Sequence, residues 1–234
     1  MSESSVPLAR MICEDAERNE QFARSYPVAT EALKLFVDLW NYTFDIEIDC
    51  LRSKQFSAVS LTLLHVVQPQ IYGMIYNFLL GNLPACYMSM RVVLEAVVDA
   101  VIVSTRFYDF PFPDNLRHLG RVERHTRLTF ADKCKLLVPA SGQRVVADII
   151  ELWRYLSKYW THAKGIMRKI DDKLTEAIEK GQAVTPMWAL ALPYTYDESD
   201  IGDLKEFMNR LRKLTGVIET LLEPFTKAKP SHSV

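Results

Sequence analysis

Apolar residues recur at steps of three and four along much of this chain. The run is clearest near the C-terminus, through Ile201, Leu204, Phe207, Met208, Leu211, Leu214, Ile218, Leu221, Leu222 and Phe225. A helix turns by about 100° per residue, so this spacing collects them on one face of a single long helix. Asp197 and Ser199 are candidate N-caps for it, and Pro224 falls near its predicted end. Residues 166–180 repeat the pattern through Ile166, Met167, Ile170, Leu174 and Ile178, with Gly181 as a C-terminal stop. Upstream, helices are predicted over 6–25, 28–54, 57–80, 83–106, 114–127, 129–138 and 143–162. Pro27 separates the first two, and Gly81-Asn82 the third and fourth. Pro69 lies inside the third, where its missing N–H and its ring are expected to kink the helix near His65. FYDFPFPDN, residues 107–115, reads as a rigid loop. Residues 182–196 read as an apolar connection packed down on the body, with a short strand admissible there.

Long helices joined by short turns, with no repeat and no Gly/Ser linker between them, predict an all-α fold: an antiparallel helical bundle forming a single domain. Within it, residues 1–56 are N-terminal helices packed on a bundle core of 57–225, and 226–234 form a frayed tail. A chain of 234 residues can bury a core without staples. Its 49% hydrophobic and 24% charged residues exclude a disordered class. The formal net charge of -1 makes no global case for nucleic acid or membrane. Cys13, Cys50, Cys86 and Cys134 lie tens of residues apart, without the short spacing of a zinc or redox motif, and read as small apolar residues in a reducing compartment. MSESSVPLARMICEDAER carries acids where a signal peptide needs a basic start and an apolar run. His65, Gln68, Glu95 and Asp99 interrupt the most apolar stretches, so no clean membrane span and a cytoplasmic location are expected.

Three features carry possible chemistry. Arg91 and Glu95 sit four apart, on one face of a helix whose neighbours are nearly all apolar; the pair should neutralise itself or meet a third polar group. Arg154, Lys158 and His162 step by four along the next long helix, making one polar stripe, with His162 near the helix C-terminus where the dipole favours its cation. Arg117, Arg121 and Arg124, with Arg127 beyond, form a cationic ridge able to follow a phosphate backbone, although a solvated helix face reads the same way. Lys133, Lys135 and Arg144 extend that basic stretch. His65, on an apolar helix one turn before Pro69, reads as a core histidine bonded to a carbonyl freed by the kink. The eight glycines are isolated, so no loop presents consecutive N–H groups to a phosphate, and Glu-x-x-His, His-Glu-x-x-His and G-x-S-x-G are all absent. No metal or cofactor is expected.

Arg-Val-Val-Leu-Glu (91–95), Thr-Phe-Ala-Asp-Lys-Cys-Lys-Leu-Leu (129–137) and Leu-Ser-Lys-Tyr-Trp-Thr-His (156–162) resemble segments of prokaryotic proteins of the HEPN (higher eukaryotes and prokaryotes nucleotide-binding) superfamily, over roughly residues 57–225. The resemblance implies a helical bundle, often a homodimer, with an Arg-x4-6-His motif forming a metal-independent ribonuclease site. Carried onto this chain, the catalytic pair is Arg154 and His162, here spaced Arg-x7-His, with Arg91, Glu95, Lys158 and the ridge of Arg117, Arg121 and Arg124 as binding residues. The expected function is binding or cleavage of RNA or a nucleotide-like phosphate without a metal. The alternative is a non-catalytic helical interaction module whose polar cluster fixes helix register.

Overall fold

A computed structural model describes residues 5–52, 58–106, 129–159, 171, 175, 178, 179, 181 and 195–226. Helix accounts for 93% of these with no strand among them, which places the chain in the all-α class. The ridge residues Arg117, Arg121 and Arg124, together with His162, His118, His125 and the 107–115 loop, lie outside the described residues. So does the tail beyond Thr226.

Helix α1 spans Ser5–Ser25 and α2 Pro27–Arg52, with Tyr26 alone between them. Pro27 is favourable at a first helical position, where its missing N–H has no partner to lose. The next rod begins as α3 (Ala58–Thr62), widens into a π-helical turn over Leu63–Val67, and continues as α4 (Gln68–Leu79). The expected disturbance around His65 is this turn. The Gln68 N–H donates to Leu63 O, five residues back, and Pro69, which has no N–H to give, follows in the first turn of α4. His65 itself is exposed, which corrects its reading as a core histidine: the widened turn lets neighbouring groups satisfy the backbone and leaves the ring in solvent. The rod from Ala58 to Leu79 is 22 residues and its most apolar window has mean hydropathy 1.2, long and apolar enough to cross a membrane, yet 44% of that window is packed inside the fold.

Leu80, Gly81 and Asn82 close α4 and start α5 (Leu83–Arg106). Gly81 takes φ +69°, a left-handed conformation open to glycine, and its N–H reaches Phe78 O (3.0 Å). Asn82 then caps α5, its side-chain oxygen accepting from the Ala85 N–H (3.2 Å). Helix α6 (Phe130–Lys135) is opened by a capping box: Thr129 Oγ1 accepts from the Asp132 N–H (3.2 Å), and the Asp132 carboxylate accepts from the Thr129 N–H (3.3 Å). Helix α7 (Val138–Tyr159) is interrupted by Gly142 at φ +79°, so its regular part starts after that glycine as expected. Residues 171, 175, 178 and 179 are helical and Gly181 takes φ +68°, in keeping with a stop there. A 3₁₀ turn, Glu198–Asp200, leads into α8 (Ile201–Thr226).

Buried residues from Ala23 to Leu222 belong to one hydrophobic cluster. Its centre is aromatic, with Phe36 of α2, Phe78 of α4, Tyr87 of α5 and Phe207 of α8 meeting at ring-centroid distances of 5.2–5.8 Å. Helix α4 runs back along α2, since Phe36 meets Phe78, Trp40 meets Tyr72, and Glu47 accepts from the Gln68 amide (2.6 Å). Helices α7 and α8 are joined by Lys213 to Asp148 (3.0 Å) and Glu151 (2.8 Å), and by the Arg210 guanidinium over the Tyr155 ring at 3.9 Å. Buried Asn19 ties three segments: its amide donates to Leu79 O (2.9 Å) and its carbonyl oxygen accepts from the Tyr196 N–H (2.7 Å). Replacing it would strand two backbone groups, which is why a polar residue is tolerated in this interior.

Candidate functional site

The polar groups that sequence placed on α5 meet α6 and α7 at one seam. Arg91 Nε donates to Glu95 Oε1 at 2.9 Å, one helical turn away, and Trp153 Nε1 of α7 donates to the same oxygen at 2.6 Å. The Arg91 guanidinium also lies 5.4 Å from the Trp153 ring centroid. On α6, Phe130 stacks on Trp153 with centroids 5.0 Å apart and planes at 19°. One turn further along α5, Asp99 accepts from Lys133 Nζ at 2.7 Å, and that ammonium sits 5.7 Å from the Phe130 ring. The seam therefore sets two stacked rings between two charge pairs: Arg91–Glu95, Trp153, Phe130, Lys133–Asp99.

Arg91 and Glu95 retain 26% and 35% side-chain exposure, so the pair is half-buried. An arginine in this position has its charge compensated by a carboxylate and its flat face covered by indole, an arrangement that stabilises both partners in place. Glu95 is engaged by two donors on one oxygen, and the residue supplied by neither α5 nor the resemblance is Trp153.

Arg154 and Lys158, the exposed stripe of α7, occupy the face beyond Trp153. Among the described residues no hydrogen bond or ion pair joins Arg154 to Arg91 or Glu95. Of the site expected from Arg91, Glu95, Arg154 and His162, the described residues show Arg91 joined to Glu95, and His162 lies outside them. Lys133 and Lys135, read with the basic ridge, are paired instead with Asp99 and Asp132, each at 2.7 Å. Sequence missed Trp153, Phe130 and Asp99. Asp99 carried a signal, because it continues the 91, 95, 99 spacing down one face of α5; the two rings carried none.

No group of three metal-ligating side chains occurs among the described residues. Burial pushes the Cys134 thiol up to about 12 and raises that of Cys86 as well, so neither is a nucleophile near neutral pH. Cys13, by contrast, is exposed.

The capping box positions both Phe130 and Lys133 for the seam. Hydrogen bonds from Lys135 and Thr129 hold the Asp132 carboxyl below its ordinary value, at about 2. A lowered carboxyl favours the folded helix above the unfolded value of 3.8, and that contribution fades as pH falls through about 2. The expected result is an Asp132 side-chain NMR titration with its midpoint near 2, moving up towards 3.8 in Thr129→Ala. A midpoint already near 3.8 in the native chain would show that the box does not form.

No protein-family model, curated protein or solved structure matches the chain.

Proposed function

We propose that the chain is a non-catalytic helical interaction module, in which the seam of α5, α6 and α7 sets how the helices sit on one another. One observation carries the reading: Arg91, expected from the sequence to bind a substrate phosphate, is bound by Glu95 and covered by Trp153, which Glu95 also holds. A group that must receive an incoming anion works from an open position, and freeing Arg91 would leave the half-buried Glu95 carboxylate without its cation. The buried free thiols of Cys86 and Cys134 support a reducing, cytoplasmic setting for the module.

A second reading rests on the exposed stripe of α7. Arg154 and Lys158 stand one turn apart on a solvated face that runs towards His162, the arrangement a HEPN-like, metal-independent ribonuclease would draw on. In that chemistry the histidine moves the proton of the ribose 2′-hydroxyl and a guanidinium offsets charge growing on the phosphate. Arg154 and His162 are eight positions apart, about 12 Å along a regular helix axis, so a partner chain or Lys158 would have to supply the near cation.

Purified protein incubated with single-stranded RNA in EDTA separates the two. The module reading expects intact RNA across substrates and pH values. Cleavage that disappears in both Arg154→Ala and His162→Ala, with helix content unchanged, would overturn it in favour of the nuclease. Retention of RNA without cleavage, lost when Arg117, Arg121 and Arg124 are replaced by Ala, would instead make RNA the module's partner.

A further inference from the structure

Between Lys54 and Arg91 the chain carries no Asp, Glu, Lys or Arg over 36 residues. Part of this uncharged run nevertheless faces solvent: Tyr72 and Tyr76 of α4 are 64% and 55% exposed. Contacts with α2 fix which way they face. The Trp40 ring of α2 meets the Tyr72 ring with centroids 6.5 Å apart, and Tyr76 stands one turn further along the same side of α4. Around α2, Phe36, Trp40 and Phe44 step by four and drift by about 40° each, from fully buried through half-buried to exposed, and Val37 lies about 20° beyond Phe44. Val37 and Phe44 are therefore on the outer side of Trp40, next to α4. The Phe36–Phe78 and Glu47–Gln68 contacts set the antiparallel register that brings Val37 to the level of Tyr76. The α2–α4 pair thus carries an apolar channel, floored where Trp40 meets Tyr72 and walled by Val37 and Phe44 on one helix and Tyr76 on the other.

Backbone chemistry narrows what can lie in it. Helices α2 and α4 bond their own N–H and C=O groups, so the channel offers no sheet edge to an extended peptide, and an occupant has to satisfy its own backbone, as a helix does. Val37 and Phe44 are seven residues apart, about 10.5 Å, which two turns of a helix lying along the channel would cover. Charge then narrows the flank of that helix. Asp38 and Asp45 follow Val37 and Phe44 in the chain, so they stand about 100° further round α2, on the outer rim of the channel. Both are exposed and, among the described residues, neither has an ion-pair partner. Lys34, one turn before Asp38, is the only base in α2 ahead of Arg52, and the α4 rim carries no charge. Acids on one rim repel a phosphate backbone or an anionic bilayer and attract a helix with Lys or Arg along one side.

We infer that the α2–α4 channel docks an amphipathic helix of a partner protein, apolar where it meets Trp40 and Tyr72 and basic along the flank that meets Asp38 and Asp45. The inference names the partner chemistry of the interaction module and rests on that reading.

The probe is a fluorescein-labelled peptide of about 20 residues, long enough to form helix, with Leu at i, i+4 and i+7 and Lys along one flank. A second peptide replaces each Lys by Glu, and a third scrambles the first. Anisotropy titration with the full chain is expected to show saturable binding of the Lys peptide, at least about tenfold tighter than either of the others. Asp38→Lys combined with Asp45→Lys changes two exposed side chains and is expected to reverse the preference in favour of the Glu peptide. Tyr76→Glu is expected to weaken both about tenfold with helix content unchanged; if that variant loses helix, the charge reversal still decides. Absence of saturable binding, equal binding of the Lys and Glu peptides, or a preference that survives the charge reversal overturns the inference. So does sedimentation that shows the chain closing this face on its own copy, or flotation of the chain with phosphatidylcholine vesicles, when either is lost in Tyr76→Glu. Cleavage in the RNA experiment would remove the module reading without altering these titrations, and a failed titration would leave the RNA result as it stands.

Discussion

Phe207→Ala lowers the unfolding free energy by about 3–5 kcal/mol, the range for deleting a fully buried aromatic ring whose site cannot collapse. Phe207 is fully buried on α8 and touches Phe36, Phe78 and Tyr87, so it holds α8 against α2, α4 and α5 at one point. Each of those neighbours is itself buried and braced by its own helix, which limits how far the hole can close. Phe207→Leu keeps most of the volume and is expected to cost about 1–1.5 kcal/mol. Denaturant unfolding of the two variants checks the pair. A loss under about 1 kcal/mol for the alanine variant would mean that the core is not closed around this ring.

Glu95→Ala is expected to cost about 3 kcal/mol, because it strands a half-buried guanidinium and the Trp153 N–H in one step. A solvated pair of the same spacing would lose less than about 1 kcal/mol, so the magnitude decides between seam and surface. Glu95→Gln separates the two roles of the carboxylate: its carbonyl oxygen still accepts from Trp153, while the charge that faces Arg91 is gone. An intermediate loss is expected for it, with the Trp153 environment, read by fluorescence, kept closer to native than in Glu95→Ala. Equal losses for Gln and Ala would assign the whole effect to the ion pair and none to the indole.

The helices were legible because each is a local pattern. In α8, Leu204, Phe207, Met208, Leu211, Leu214, Ile218, Leu221 and Leu222 are all buried, as their spacing requires. Glycines and prolines marked the ends correctly at Gly81, Gly142, Gly181 and Pro27 for the same reason: they act on the backbone of their own neighbourhood. The seam was legible only where it is local. Arg91 and Glu95 are one turn apart, whereas the Trp153 N–H reaches Glu95 across 58 residues and Lys133 reaches Asp99 across 34. No periodicity within a helix encodes such meetings. Tyr72 and Tyr76 are exposed although in the sequence they look like any other members of an apolar run.

His65 was misplaced because the rod from Ala58 to Leu79 is not one phase of helix but two. Inserting a single residue into an α-helix turns everything beyond it by about 100° about the axis. The π turn at Leu63–Val67 absorbs such an extra residue: Val59 before it and Leu63 at its start are buried, and Ile71, Met74 and Phe78 are buried after it, on a stripe that a continuous α-helix would have carried elsewhere. Beyond the turn the Gln68 amide reaches Glu47, while Tyr72 and Tyr76 further along α4 are exposed. The π turn absorbs one extra residue, so a one-residue deletion within Leu63–Val67 would restore a plain α-helix and leave Ile71, Met74 and Phe78 facing inward and Tyr72 and Tyr76 outward.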